Sequence, residues 1–227
     1  PLVKPRRVAA RLGGRAPAGY PRPMPSLEIR PLGPRDLDSA AETLGLAFAT
    51  NRDYRPRLEL LLGLAPGAGL AALEEGLLVG TGSLVPYEGA AYIGMVAVRP
   101  ERQGRGIARA LMEALVALAR ERGYATILLD ASAAGYPLYR RLGFEALDEV
   151  LVAQRPAGGA SEARPAARFA EPAAPGGSPA EIAAFDAAAW GAGRRAYLEA
   201  LAGLPGNSCI AERDATGRLR GYLLVQA

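Results

Sequence analysis

A chain of 227 residues, half of them apolar, can bury the core of one large domain or two modest ones, and its composition is globular rather than disordered. It has no histidine and a single cysteine, Cys209, which excludes Ser-His and Cys-His nucleophilic systems, an internal disulfide and any metal site built on His or Cys clusters. The net charge of +4 belongs to one end: residues 1–25 carry six basic side chains and no acid, leaving 21 basic and 23 acidic side chains for the rest. The lone thiol fits a reducing, cytoplasmic setting. No apolar run reaches bilayer-spanning length, so no membrane partner is expected.

Residues 1–25, rich in Arg, Pro, Gly and Ala, read as a basic disordered extension. Such a tail suits a targeting segment or a nucleic-acid contact, although nucleic acid is not the partner expected here. Met24-Pro-Ser-Leu-Glu-Ile-Arg opens like a first strand, so translation is expected to begin at Met24, with the preceding residues expected to be an artefact of gene assignment. Arginine in place of lysine, with abundant Ala and Gly, suggests a GC-rich bacterial genome. Residues 27–32 predict a strand. Pro34 then starts a helix to about Thr50 with Leu37, Ala40, Ala41, Leu44 and Phe48 on one face. A short helix is expected over 57–62, and a hairpin over 69–73 and 77–85 turning at Glu74-Glu75-Gly76. Ala91 to Val98 is a strand that ends before Pro100. The helix that follows carries Ile107, Leu111, Ala114, Leu115 and Leu118 at spacings of three and four. Gly123 stops it, a strand follows over 125–130, then a short helix closed by Gly143 and a last strand over 147–154. Residues 155–179 hold five prolines and four glycines and read as a linker. Helices over 181–190 and 194–202 and strands over 208–212 and 219–225 then repeat the helix, helix, strand, strand order of the first half.

Between the strand ending at Val98 and the helix opening at Ile107 lies Gln103-Gly104-Arg105-Gly106. Two glycines let the backbone approach a ligand that a Cβ would keep away, and the first helical amides have no intrahelical partner and sit at the positive end of the dipole. The product is a nest for an anion, most naturally a diphosphate. A dinucleotide fingerprint would need a third glycine where Arg109 stands, and a Walker loop would need a lysine, whereas the only one is Lys4. The pattern Gln103-x-x-Gly106-x-Ala108 after a strand resembles motif A of the GNAT superfamily of N-acetyltransferases. Tyr139-Arg140-Arg141-Leu142-Gly143-Phe144 resembles its motif B, in the required order.

The resemblance covers residues 26–154 and implies the α/β (α+β) GNAT fold, a mixed, mostly antiparallel sheet with one parallel pair, flanked by helices. It implies acetyl-CoA as cosubstrate, with no metal. The pyrophosphate would be held by Arg102, Gln103, Gly104, Arg105, Gly106, Ile107 and Ala108. The backbone of Val96, Ala97 and Val98 would bind pantetheine and polarise the thioester oxygen. Tyr139 would protonate the leaving thiolate, with Tyr136, three residues earlier, as the understudy. The amine's proton would pass to Glu88, to Asp130 or to water. The acceptor is a small-molecule or protein amine. The alternatives are transfer of another acyl group and a non-catalytic acyl-CoA sensor or scaffold, and the partners left open include a second copy in a homodimer. Asp186-x-x-x-Trp190-Gly191-x-x-Arg194, followed by Tyr197-Leu198, resembles the carboxy-terminal GNAT-like domain of tandem acetyltransferases. Residues 180–227 are therefore expected to form a partial second GNAT-like half with an exposed sheet edge.

Overall fold

A computed structural model describes residues 6–11, 27–149 and 179–225. The chain divides into two units, residues 5–150 and a second unit whose described part is residues 179–225. Among the described residues no helix is long and apolar enough to cross a membrane.

The first unit holds β1 (Arg6–Arg11), β2 (Leu27–Pro31), α1 (Leu37–Phe48), α2 (Arg55–Leu64), β3 (Gly69–Glu74), β4 (Leu77–Tyr87), β5 (Ala90–Val98), α3 (Ile107–Glu121), β6 (Thr126–Ala131), α4 (Tyr136–Arg141) and β7 (Glu145–Glu149). The seven strands form one sheet in the order β2-β3-β4-β5-β6-β1-β7. Only β5 and β6 run parallel, which gives the mixed, mostly antiparallel sheet expected. The β3–β4 hairpin turns where predicted, with Glu75 at φ 51° and Gly76 at φ 81°, the two positive φ angles of a primed turn.

Period-two alternation sends the strand side chains to two cores. Ala72, Val79, Ile93, Ile127 and Leu129 pack with Ile107, Leu111, Met112 and Leu115 of α3. Ala71, Leu73, Leu78 and Ala97 pack on the other face with Leu37, Ala40 and Leu44 of α1 and Leu58 of α2. The buried stripe of α3, spaced by three and four, holds the helix to the sheet at about 1.5–3 kcal/mol for each large side chain.

The amino-terminal segment departs from the sequence expectation. Residues 6–11 are not part of a disordered extension: they form β1, inserted between β6 and β7 and antiparallel to both. Val8 is fully buried in the α3-side core, and Arg7 lies in register with Asp130 on β6 and Asp148 on β7. Nothing local in Arg-Arg-Val-Ala-Ala-Arg signals a strand, because its partners lie more than a hundred residues away along the chain (Arg7 to Asp130 spans 123). The rest of the 1–25 extension, the 155–178 part of the linker and the last strand beyond Glu149 fall outside the described residues.

The second unit consists of α5 (Pro179–Trp190), α6 (Arg195–Ala202) and the antiparallel pair β8 (Ser208–Arg213) and β9 (Leu219–Val225), in the predicted order. Its small core joins Ile182, Ala211 and Leu219.

Candidate functional site

The site is built on one continuous stretch of backbone. On β5 the register with β4 slips: Ser83 faces Gly94 and Thr81 faces Ala97, so Met95 and Val96 bulge out without a register partner on β4. Met95 takes φ 54°, uncommon for a side-chain-bearing residue, and the Ser83 hydroxyl donates to Gly94 O at 3.1 Å to hold the bulge. On its other side β5 pairs with β6 only at Ala91↔Ile127 and Tyr92↔Leu128. Beyond Tyr92 the two strands part, and the β6-facing edge of β5 takes no strand partner. Ala97 and Val98 stay in the β4 ladder with buried side chains, and Val96 belongs to the bulge.

The turn begins where β5 ends. Gln103 donates its side-chain amide to Val98 O at 3.1 Å, fastening the turn to the strand, and Arg102 pairs with Glu74 at 3.5 Å. These two side chains are thus directed at the protein, whereas Arg105 is exposed and, among the described residues, makes no ion pair. Gly104 at φ 77° and Gly106 at φ 88° bring the backbone round to α3. Gly106 is the N-cap and offers no side-chain oxygen. Ala110 N–H to Gly106 O, at 3.0 Å, begins the helical ladder, so the amides before it have no acceptor within the helix. Ile107 is buried and pins the helix start, and Ala108 is half-buried. Exposed glycines and helix-start amides without an intrahelical acceptor are the kind of backbone arrangement that receives anions.

Tyr139 stands on α4 with its ring edge-on to Phe144, centroids 6.1 Å apart. Burial pushes its phenol above the ordinary value of 10, so it is a protonated donor at neutral pH. Gly135 makes this placement possible, because a Cβ there would lie 2.8 Å from the Tyr139 ring. Tyr136 packs against the same core.

Asp130 lies on the opposite face. It alternates with the buried Leu129 and Ala131, as Tyr92 alternates with Ala91 and Ile93, and Arg7 precedes the buried Val8. Arg7 Nε donates to Asp130 Oδ1 at 3.3 Å and the Tyr92 hydroxyl donates to Oδ2 at 3.3 Å. Tyr92 stacks on Tyr87 with centroids 5.7 Å apart. Asp130 stands two residues past Leu128 on β6, as Gly94 stands two residues past its partner Tyr92 on β5. Glu88 is elsewhere. It is exposed in the β4–β5 turn, seven residues before Met95 and roughly 20 Å from the bulge at about 3.3 Å per residue. Arg7 and Tyr92 are the residues sequence reasoning missed. The available signals were the alternation of β5 and the match of a basic segment to the acids Asp130 and Asp148.

Residues 37–144 match the profile of the acetyltransferase (GNAT) family. A proposed acetyltransferase of Pyrococcus horikoshii shares the fold, with 22% identity over 86% of this chain and 71% of that one and a TM-score of 0.63. A GCN5-related N-acetyltransferase of Sphaerobacter thermophilus is 28% identical over 66% of this chain, with a TM-score of 0.57, and the chain spans 50% of that protein. No curated protein matches the sequence. The fold and these motifs define an acyltransferase domain, and residues 37–144 are its GNAT acetyltransferase region.

Proposed function

We propose that the domain transfers an acetyl group from acetyl-CoA to a primary amine, of a small molecule or a protein, by direct attack. The observation that carries this reading is the run that joins the Met95–Val96 bulge, which leaves the β4 register, to the Gly104–Gly106 turn and the head of α3, whose first amides have no acceptor within the helix. When bound, acetyl-CoA supplies an activated thioester carbonyl. The amides of Gly104 to Ala108, with Arg105, bind the diphosphate. Donors of the bulge aim at the thioester oxygen, a kind of stabilisation worth about 3 kcal/mol. As the C–N bond forms and the C–S bond breaks, Tyr139, kept protonated by burial, gives its proton to the departing thiolate, and the proton the amine sheds passes to Asp130 or to water, from which the phenol is restored. Direct attack needs no enzyme nucleophile, which suits a chain without histidine. On this reading Tyr139, packed with the α3-side core, serves the donor, and the hydrogen-bonded Asp130 and Tyr92 serve the acceptor.

The test is thiol release from acetyl-CoA across a panel of primary amines. Amine-dependent release is expected. Saturable acetyl-CoA binding without release on any amine would instead make the domain an acyl-CoA sensor, and release without acetylated amine would point to a different acceptor class.

A further inference from the structure

We propose that the gap between β6 and β7 is a strand-binding site for a basic extended segment, filled by residues 6–11 of the chain itself, and that Arg7 of this strand is the positioning residue for Asp130. Among the described residues strand β7 pairs with β1 alone and has no register with β6, so its place in the sheet depends on what fills the gap. The filling strand is read in two ways. Val8 is fully buried among the α3-side core residues, which demands a small apolar side chain at that position. Arg7 falls in register between Asp130 and Asp148, and its pair with Asp130 is about four-fifths shielded, the side chains being 17% and 25% exposed. The Tyr92 hydroxyl holds the other Asp130 oxygen, so the carboxylate is fixed from both sides.

Connectivity alone does not force this docking. Strand β2 is first in the sheet and β1 sixth, a distance of roughly 24 Å at about 4.8 Å per strand. Fifteen residues separate the two strands, a contour length of up to about 50 Å, so chain length does not dictate where β1 docks. Strand β1 also lies outside the region that matches the family profile, residues 37–144. What holds it is strand addition: main-chain hydrogen bonds for affinity, and Val8 and Arg7 for specificity.

This inference rests on the functional reading only in calling Asp130 part of the acceptor side, and its test does not use acetyl transfer. A protease site is placed between Gly13 and Gly14 of the full chain, the chain is cut, and a fluorescein-labelled peptide of residues 1–13 is added. The cut protein is expected to keep its circular dichroism and to take up the peptide saturably. Arg7→Gln in the peptide should weaken uptake about fivefold, and Val8→Asp by about a hundredfold or more. In a chain carrying Asp130→Asn, the native and Arg7→Gln peptides should bind within about twofold of each other. A folded cut protein that releases its own segment and takes up no peptide would overturn the strand-binding site. A second measurement reads the Arg7–Asp130 pair on the uncut chain through urea midpoints of Arg7→Gln, Asp130→Asn and the double variant. Non-additive shifts support the pairing, and additive shifts refute it. Peptide uptake without any acetyl transfer would sink the functional reading alone, and acetyl transfer by a cut protein that has released its segment and takes up no peptide would sink this inference alone.

Discussion

The head of α3 and the junction of α5 with α6 each carry a short sequence motif at a helix start, and they treat polar groups in opposite ways. At α3, glycines at positive φ lead into a helix start whose N-cap has no side-chain hydrogen bond, so its first amides have no acceptor within the helix. At the α5–α6 junction everything charged is paired. Asp186, 2% exposed, is gripped by Arg194 at 2.6 and 2.7 Å and accepts the Tyr222 hydroxyl as well. The Arg194 guanidinium lies 3.7 Å from the Trp190 ring centroid. Burial, and next the bond to Asp186, push the Tyr222 phenol up to about 12. The spacing Asp186-x-x-x-Trp190-Gly191-x-x-Arg194 therefore joins α5, the N-cap of α6 and β9, and its chemistry is spent on the fold. Unclaimed donors mark a ligand site, and a closed ion network marks a structural tie.

Breaking the tie should have the largest effect. Arg194→Ala leaves a buried carboxylate uncompensated and is expected to destabilise the second unit by about 3–5 kcal/mol. Trp190 is the only tryptophan, so its fluorescence during urea unfolding reports on that unit. An unchanged midpoint would mean the network is not structural. On the catalytic side, Tyr139→Phe should lower kcat about a hundredfold while acetyl-CoA affinity stays put. Because burial raises this phenol above 10, the native rate should hold through pH 9 and fall only beyond 10. A loss already complete at pH 8 would contradict the acid role. A smaller effect is expected at the entry to α1, where Arg30 donates to both Asp36 oxygens at 2.7 and 2.8 Å and Gly33 N–H adds a third bond at 2.8 Å. Chiefly the Arg30 bond holds the Asp36 carboxyl below its ordinary 3.8. A lowered folded pKa stabilises fully above the unfolded value and is lost as pH falls through the folded one. Asp36→Asn should thus cost about 1.5 kcal/mol at pH 7, with the gap to the native chain closing as the pH drops below about 4. A gap that persisted at pH 2 would refute the charge origin.

What the sequence made legible is what is written locally. The α3 stripe, the Glu75-Gly76 turn, the Gly104–Gly106 turn and the helix of Tyr139 each depend on residues within a few positions of one another, and all are found where their spacing puts them. The long-range features were not legible. Strand β1 exists only because β6 and β7 provide its ladder, and the placing of Arg7 and Tyr92 around Asp130 needs three strands to meet. Glu88 shows the converse. It lies close to β5 along the chain, yet a strand carries its two ends apart, so the turn it occupies is remote from the bulge.

The central claim, that the turn at the head of α3 holds the coenzyme diphosphate, is tested most directly by calorimetric titration of the full chain with acetyl-CoA, native and Gly106→Val. A β-branched residue is strained at φ 88° and blocks the close approach of a ligand to the turn. The account predicts saturable binding to the native chain and a loss of about tenfold or more in the variant, at unchanged circular dichroism. Equal binding by both, or none by the native chain, would contradict it.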